Sequence, residues 1–133
     1  MKKILLTGGA GYIGTHTAIS LLERGYEVVI IDSFINSFSK TIKKITNICK
    51  KDNNINKSLL KIFKVDLRNK KDIEEIFYES KKEKRPIDGV IHLAGLKAVG
   101  ESVLNPLKYW DFNVFSTLNL LKVMNDNSCR III

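Results

Sequence analysis

The sequence has 133 residues, 44% of them hydrophobic, which is the size of one globular domain and excludes a multidomain chain. It has no apolar run of the roughly 18 residues that a membrane-spanning helix needs, and two cysteines are too few for a disulfide framework or a cysteine-based metal site, so we expect a cytoplasmic location, no membrane partner and no metal. The net charge of +8 arises within residues 38–85, which hold 15 Lys and Arg against 7 Asp and Glu; because aromatic residues are not interleaved with these lysines, this charge indicates a solvated basic face and disfavours a nucleic-acid partner.

The first predicted strand, Lys3–Thr7, runs directly into a glycine-rich turn and a helix. The unpaired backbone N–H groups and the dipole of a helix start attract a pyrophosphate, and glycine lets the backbone approach it closely. The helix ends at Gly25. Its predicted inner face carries Ile13, Ala18, Leu21 and Leu22. The turn fits the spacing of a dinucleotide-binding turn in two registers, Gly9-x-Gly11-x-x-Gly14 and Gly8-x-x-Gly11-x-x-Gly14.

The second predicted strand, Glu27–Asp32, is apolar and β-branched, which is typical of a strand buried on both faces. It ends in an acid about twenty residues after the glycine turn, where a carboxylate accepts hydrogen bonds from the adenosine ribose hydroxyls. A carboxylate there also repels a 2′-phosphate, and no arginine follows it closely. We therefore predict NAD rather than NADP as the cofactor; the alternative is that Asp32 only caps the next turn.

The same alternation continues to the end of the chain. The pattern predicts a polar helix from Ser39 to about Lys51, which Asp52-Asn53-Asn54 ends, and then a third strand over Leu60–Val65. A third helix is predicted from near Asn69 to Arg85-Pro86, followed by a fourth strand over Gly89–Leu93. A long amphipathic segment from Glu101 to about Asn125 leads to a fifth strand that begins at Arg130. The third helix carries Ile73, Ile76 and Phe77 on one face. The long segment carries an apolar stripe of Leu107, Trp110, Val114, Leu118 and Leu121, of which we predict the last four to be core.

Strands joined by helical crossovers pair in parallel with right-handed connections. The prediction is an α/β fold, a Rossmann-type doubly wound parallel sheet of strand order 3-2-1-4-5, with a ligand crevice at the carboxyl ends of strands one and four. Thr7, Asp32, Asp66 and Leu93 all stand at strand ends on that rim. Ile131–Ile133 would form only the beginning of an apolar fifth strand. We therefore expect residues 1–133 to be the N-terminal part of an NAD-binding domain, truncated at the fifth strand.

Two segments carry a more specific signal than the glycine turn alone. Residues 7–16 read Thr-Gly-Gly-Ala-Gly-Tyr-Ile-Gly-Thr-His, and residues 92–102 read His-Leu-Ala-Gly-Leu-Lys-Ala-Val-Gly-Glu-Ser, followed by Pro106-Leu107-x-Tyr109 and Asn113. In these residues the chain resembles the UDP-glucose 4-epimerases of the extended short-chain dehydrogenase/reductase family. The resemblance covers essentially the whole chain but only the N-terminal part of a complete enzyme.

The resemblance implies NAD as the cofactor and a role for each matched residue. The pyrophosphate would lie on Gly8, Gly11, Tyr12, Ile13 and Gly14, and the adenosine ribose on Asp32, Ser33, Asn36 and Ser37. Asp66 and Leu67 would flank adenine; Leu93, Ala94, Gly95, Leu96 and Lys97 would line the central part of the cofactor, with Asn113 supporting it from the long helix. Ser33 and Leu93 depart from the residues common in the family, Asn and Phe, and we expect them to loosen cofactor contacts without altering the fold.

The resemblance also implies a homodimeric isomerase of galactose metabolism that inverts C4 of the hexose in UDP-glucose and UDP-galactose by transient hydride transfer to NAD. The family's catalytic Ser and Tyr-x-x-x-Lys fall after strand five, so we expect no catalytic residue in this chain and no activity from it alone. Tyr78-x-x-x-Lys82 has the same spacing but lies on a flanking helix. The alternatives are another NAD-dependent sugar-nucleotide epimerase or 4,6-dehydratase, or a short non-catalytic dinucleotide-binding module.

Two polar residues on the rim have different interpretations. His92 lies within an apolar strand and is interpreted as a hydrogen-bonded core histidine. Lys97 follows that strand in a loop of small residues, where we predict that it contacts a phosphate or ribose rather than solvent alone.

Overall fold

The computed structural model describes residues 1–37, 39–51 and 55–133. The predicted helix break at Asp52-Asn53-Asn54 lies outside the described residues. Elsewhere the strands and helices alternate in the predicted order, and most boundaries agree within one residue. The elements are β1 (Lys3–Thr7), α1 (Tyr12–Glu23), β2 (Glu27–Asp32), α2 (Ser39–Lys51), β3 (Leu60–Lys64), α3 (Lys70–Lys82), β4 (Gly89–His92), α4 (Val99–Leu104), α5 (Pro106–Tyr109), a π-helical turn (Trp110–Phe115) and α6 (Ser116–Asp126).

The strands form one parallel sheet in the order β3-β2-β1-β4, which confirms the predicted Rossmann-type topology. The predicted fifth strand is reduced to a parallel bridge between Val90 and Ile132, on the outer side of β4. The backbone N–H of Val90 donates to the carbonyl of Ile131 at 2.9 Å, and that of His92 to the carbonyl of Ile133 at 2.7 Å. The chain thus reaches the expected fifth position of the sheet.

Successive residues of the central strands point to opposite faces of the sheet. Both faces are apolar, so a helical layer covers each of them. Leu5, Val29 and Ile31 pack with α3 and α6, whereas Leu6, Val28 and Ile30 pack with α1 and α2. All six side chains are buried. The residues predicted to share one face of α3, Ile73, Ile76 and Phe77, are buried as well. This double coverage explains why β2 reads as a continuous apolar run.

The predicted inner face of α1 is wrong at one residue. Ile13 is 62% exposed, and the buried residues of this helix are Gly14, Thr15, Ala18 and Leu22. Ile13 stands in the first turn of α1, next to the glycine turn, and it lines the cleft described below instead of joining the core. A helical periodicity cannot show which apolar residues line a cleft.

The prediction that the apolar stripe is core from Trp110 onwards is also wrong. Trp110 is 63% exposed, and the other stripe residues, Leu107, Val114, Leu118 and Leu121, are exposed too. The segment is not one regular helix, because Asn105-Pro106 interrupts it and residues 110–115 form a π-helical turn, which shifts the register of side chains. A different face is buried: Ser116, Asn119, Leu120, Val123 and Met124.

In the part of the chain that the structure describes, the helices are all too short or too polar to cross a membrane.

Candidate functional site

The glycine turn joins β1 to α1 and packs tightly against its surroundings. Gly8 has a φ of +65°, which favours glycine, and a Cβ there would lie 2.7 Å from the backbone nitrogen of Ala94. A Cβ on Gly14 would lie 2.6 Å from the carbonyl oxygen of Gly8. These two glycines therefore let the turn contact the loop after β4 and let α1 start directly above the turn.

Gly11 begins α1 and leaves the helix start open. Its carbonyl accepts the N–H of Thr15 at 3.0 Å, the first hydrogen bond of the helix. The N–H groups of Tyr12, Ile13 and Gly14 precede that bond, so they have no acceptor within the helix. No acidic side chain occupies the first turn of α1. Because all three residues line the cleft described below, this helix start presents donors and partial positive charge to it.

Asp32, the last residue of β2, faces this helix start with a fixed carboxylate. Its Oδ2 accepts the N–H of Ala10 at 3.0 Å, and its Oδ1 accepts the N–H of Phe34 at 2.8 Å and the hydroxyl of Ser37 at 2.9 Å. The bond to Phe34 is the turn cap that the sequence left as an alternative. Asp32 therefore caps the turn after β2 and also lines the cleft.

A cleft of about 820 Å³ runs along the carboxyl ends of the strands. It is large enough for an extended dinucleotide. Every residue predicted to bind the cofactor lines it except Asn113, namely Gly8, Gly11, Tyr12, Ile13, Gly14, Asp32, Ser33, Asn36, Ser37, Asp66, Leu67, Leu93, Ala94, Gly95, Leu96 and Lys97. Lys97 is exposed on the rim, and Tyr78 and Lys82 lie away from the cleft on α3.

Asn113 is not among the residues that line the cleft, but its side chain contacts the loop after β4. Its Nδ2 donates to the carbonyl of Leu96 at 2.9 Å, and its Oδ1 accepts the N–H of Leu96 at 2.7 Å. A Cβ on Gly95 would lie 3.2 Å from the same Oδ1. The amide therefore holds residues 95–96 in place, which is the supporting role that was predicted for it.

His92 is half-buried and bonded at both ring nitrogens, in agreement with its interpretation as a structural histidine. Nδ1 lies 2.6 Å from the hydroxyl oxygen of Thr7, and Nε2 lies 2.9 Å from that of Thr117. Thr117 donates its own proton to the carbonyl of Asn113, so it accepts from Nε2–H. Burial lowers the pKa of His92, which keeps this ring neutral.

Asp66 lies at the far end of the cleft, one residue after Val65, beside Leu67. The hydrogen bond from the Arg68 guanidinium holds the pKa of Asp66 below its usual range, so this carboxylate is ionised near neutral pH. Asp32 and Asp66 thus place two anionic acceptors along the cleft, and the α1 start places donors opposite them.

Sequence reasoning missed several lining residues. Thr41 and Lys44 reach the cleft from α2, and Phe112 and Ser116 from the π-helical turn and the start of α6. Thr41 and Lys44 are spaced i, i+3, which places them on one helix face, but only the packing of α2 shows which face that is. The remaining lining residues outside the prediction are Ala10, Thr15, His16, Ile31, Ile35 and Val65.

Comparison with known proteins gives consistent matches. The family model described as GDP-mannose 4,6 dehydratase matches residues 5–133. A bifunctional UDP-glucose 4-epimerase and UDP-xylose 4-epimerase of Pisum sativum is 46% identical over 97% of this chain and 35% of its own length, and UDP-glucose 4-epimerase 2 of Arabidopsis thaliana is 43% identical over 97% and 34%. The chain thus spans about a third of the length of these relatives.

Solved structures agree with the sequence relatives. The UDP-glucose 4-epimerase of Bifidobacterium longum, in complex with NAD⁺ and UDP, superposes with a TM-score of 0.85 and 42% identity, over 98% of this chain and 36% of that one. The UDP-glucose 4-epimerase of Stenotrophomonas maltophila, with bound NAD and a formylated UDP-arabinopyranose, gives a TM-score of 0.84 at 33% identity, over 99% and 36%.

Proposed function

Because the chain belongs to the GDP-mannose 4,6 dehydratase family, we propose that it is the NAD-binding part of a UDP-glucose 4-epimerase. The observation that carries this proposal is the convergence of the α1 start, Asp32 and the loop after β4 on one cleft. Each of these features is suited to a different part of a dinucleotide: the α1 start to the pyrophosphate, Asp32 to the adenosine ribose, and the loop after β4 to the central part of the cofactor. The choice of an epimerase over other enzymes of the family is supported by the relatives at 42–46% identity.

The residues present fit NAD. The open side of Gly11 leaves room for a pyrophosphate, because a Cβ there would have only the carbonyl oxygen of Gly8 nearby, at 3.2 Å. The N–H groups of Tyr12 and Ile13 would bind the pyrophosphate oxygens, and Asp32 would accept the hydroxyls of the adenosine ribose. A 2′-phosphate would place its charge against the Asp32 carboxylate, which favours NAD over NADP.

The remaining site assignments belong to the same proposal. Ser33, Asn36 and Ser37 would complete the ribose contacts. Leu67 and Asp66 would flank the adenine, and residues 93–97 would line the central part of the cofactor, with Lys97 directed at a ribose or phosphate oxygen. Asn113 would act by fixing that loop, since it bonds both backbone polar groups of Leu96.

The chain's own residues would bind and orient the cofactor and would exclude water from one side of it. The chemistry that NAD supplies when bound is reversible hydride acceptance, which permits inversion at C4 of the hexose of a UDP-sugar. The proton at the 4-hydroxyl would be moved by residues beyond position 133. We therefore propose that residues 1–133 alone are inactive.

Association as a homodimer and a role in galactose metabolism in the cytoplasm complete the proposal. The dimer is supported by the exposed stripe defined above, Leu107, Trp110, Val114, Leu118 and Leu121, which leaves five apolar side chains exposed along α5, the π-helical turn and α6. The cytoplasmic location is supported by the composition, because two cysteines in 133 residues are too few for a disulfide framework.

The decisive experiment is an assay of the full-length polypeptide with UDP-galactose, with the UDP-glucose formed measured by a coupled dehydrogenase. Turnover without added reductant supports the epimerase. If UDP-galactose is not converted but another nucleotide sugar yields a 4-keto-6-deoxy product, the protein is a 4,6-dehydratase. If the polypeptide binds NAD but converts no nucleotide sugar, it is a dinucleotide-binding module.

A further inference from the structure

The Lys97 side chain lies on the rim of the cleft without a fixed partner. It is exposed and lines the cleft. In the part of the chain that the structure describes, it takes part in no hydrogen bond or ion pair. The direction in which this side chain leaves the loop after β4 is therefore set by the backbone on either side of it.

The two residues that flank Lys97 are each tied to the helical segment that follows. On one side, the Asn113 amide bonds both the N–H and the carbonyl of Leu96. On the other side, the Tyr109 hydroxyl donates to the carbonyl of Ala98 at 2.9 Å. The loop is thus held at two points, immediately before and immediately after the lysine.

The Tyr109 phenol is itself oriented by an ion pair between α4 and α5. Its oxygen lies 2.9 Å from Oε2 of Glu101, and Oε1 of Glu101 accepts from Nζ of Lys108 at 2.6 Å. The hydrogen bond from Lys108 lowers the pKa of Glu101, so this carboxylate is ionised near neutral pH and has no proton to donate. The single phenolic proton is therefore shared between the Glu101 carboxylate and the Ala98 carbonyl.

Resting on the NAD-binding function proposed above, we propose that Tyr109 is a positioning residue for Lys97. Its hydroxyl holds the carbonyl of the next residue, Ala98, so that the lysine is directed at the second phosphate of the dinucleotide or the ribose that follows it. Tyr109 is not among the residues that line the cleft. Its effect on a ligand therefore passes through the loop and not through a contact of its own.

The test compares the binding of NAD and AMP to the full-length polypeptide by calorimetric titration. AMP carries the adenosine ribose and one phosphate, and it ends before the part of NAD that Lys97 would contact. The preference is defined as the dissociation constant of AMP divided by that of NAD. Tyr109→Phe removes only the hydroxyl, and we expect it to lower the preference about fivefold, the effect of one hydrogen bond, with AMP binding unchanged. A purely structural role would weaken both ligands by the same factor.

Two further variants separate the phenol bond from the ion pair and from the rest of the loop. Glu101→Gln removes the charge but keeps a side chain that can bond the phenol, so the preference should stay within about twofold of the wild type. In a Lys97→Met background, Tyr109→Phe should lower the preference no further, because its effect passes through the lysine. The matched control is Tyr78→Phe, which removes the hydroxyl of an exposed tyrosine on α3, away from the cleft, and should leave the preference unchanged.

The proposal is overturned if Tyr109→Phe keeps the wild-type preference, or if it lowers the preference of Lys97→Met by as much as that of the wild type. A loss in Glu101→Gln as large as that in Tyr109→Phe would assign the effect to the ion pair and overturn it as well. It also fails if the wild type binds NAD no more tightly than AMP. If the wild type binds neither ligand, the NAD-binding function itself fails.

Discussion

Replacement of Gly11 by valine separates the binding role of the glycine turn from its folding role. Gly11 has φ −74° and ψ 174°, values that any residue adopts, and a Cβ there meets only the carbonyl oxygen of Gly8, at 3.2 Å. This contact is tight, so the folded state takes the side chain with a shift of a few tenths of an ångström at the Gly8 carbonyl. The cost to stability is that of a poor helix N-cap, about 1 kcal/mol.

The same side chain would fill the space in which the pyrophosphate approaches the helix start. Hydrogen bonds to a charged group contribute about 1.5–3 kcal/mol each. Loss of the two from Tyr12 and Ile13 weakens NAD binding by about 3 kcal/mol or more, which is a rise in Kd of at least about 100-fold. Calorimetric titration of the full-length polypeptide, with thermal unfolding measured in parallel, gives both quantities.

Two other glycines provide controls for this prediction. Gly14→Ala places a Cβ 2.6 Å from the Gly8 carbonyl oxygen and should lower the unfolding temperature as well as affinity. A Cβ on Gly100, within α4, meets nothing within 4 Å, so Gly100→Ala should leave affinity unchanged and should not lower the unfolding temperature. Undiminished NAD affinity in a folded Gly11→Val variant would refute the assignment of the pyrophosphate to this turn.

The structure makes three further predictions. Lys3→Met removes the buried cation beside Glu27 and leaves only the half-exposed Arg85, whose Nη1 lies 3.0 Å from Oε2: Lys3 and Glu27 are each 2% exposed, and Oε1 lies 3.1 Å from Nζ without a hydrogen-bonding angle. Urea unfolding should show a loss of about 3 kcal/mol, and an unchanged midpoint would mean that the pair contributes nothing. Since burial lowers the pKa of folded His92, the unfolded chain binds a proton more readily, so stability should fall as pH drops below about 6.5; His92→Gln should flatten this profile, and parallel profiles would contradict the argument. If the full-length polypeptide is the dimer proposed above, Trp110→Glu and Leu118→Glu should convert it to monomer in sedimentation, and a persistent dimer would remove the stripe from the interface.

The strands and the glycine turn were predictable because their signals are local. The run Val28–Ile31 is apolar on both faces because two helical layers cover it. Residues 8 and 14 must be glycine because a Cβ at either position would clash with neighbouring backbone, and this requirement is visible in the spacing of the glycines. The acid at the end of β2 follows from the same unit. These features depend on a few neighbouring residues, so the sequence reports them directly.

The long C-terminal segment was not predictable because it carries two apolar faces. The stripe through Trp110 and Leu118 has helical spacing, but so does the set Leu120, Val123 and Met124, which forms the core. The choice depends on the sheet face that the helix covers and on the π-helical turn before it, and neither is local. The same turn places Phe112 at the cleft and Asn113 in contact with the loop after β4.

The most direct test of the cofactor site is a crystal structure of the full-length polypeptide grown with NAD. We expect the pyrophosphate within hydrogen-bonding distance of the N–H groups of Tyr12 and Ile13, and the adenosine ribose hydroxyls on the carboxylate of Asp32. A dinucleotide bound elsewhere, or bound in this cleft with its adenosine ribose away from Asp32, would contradict the proposed site.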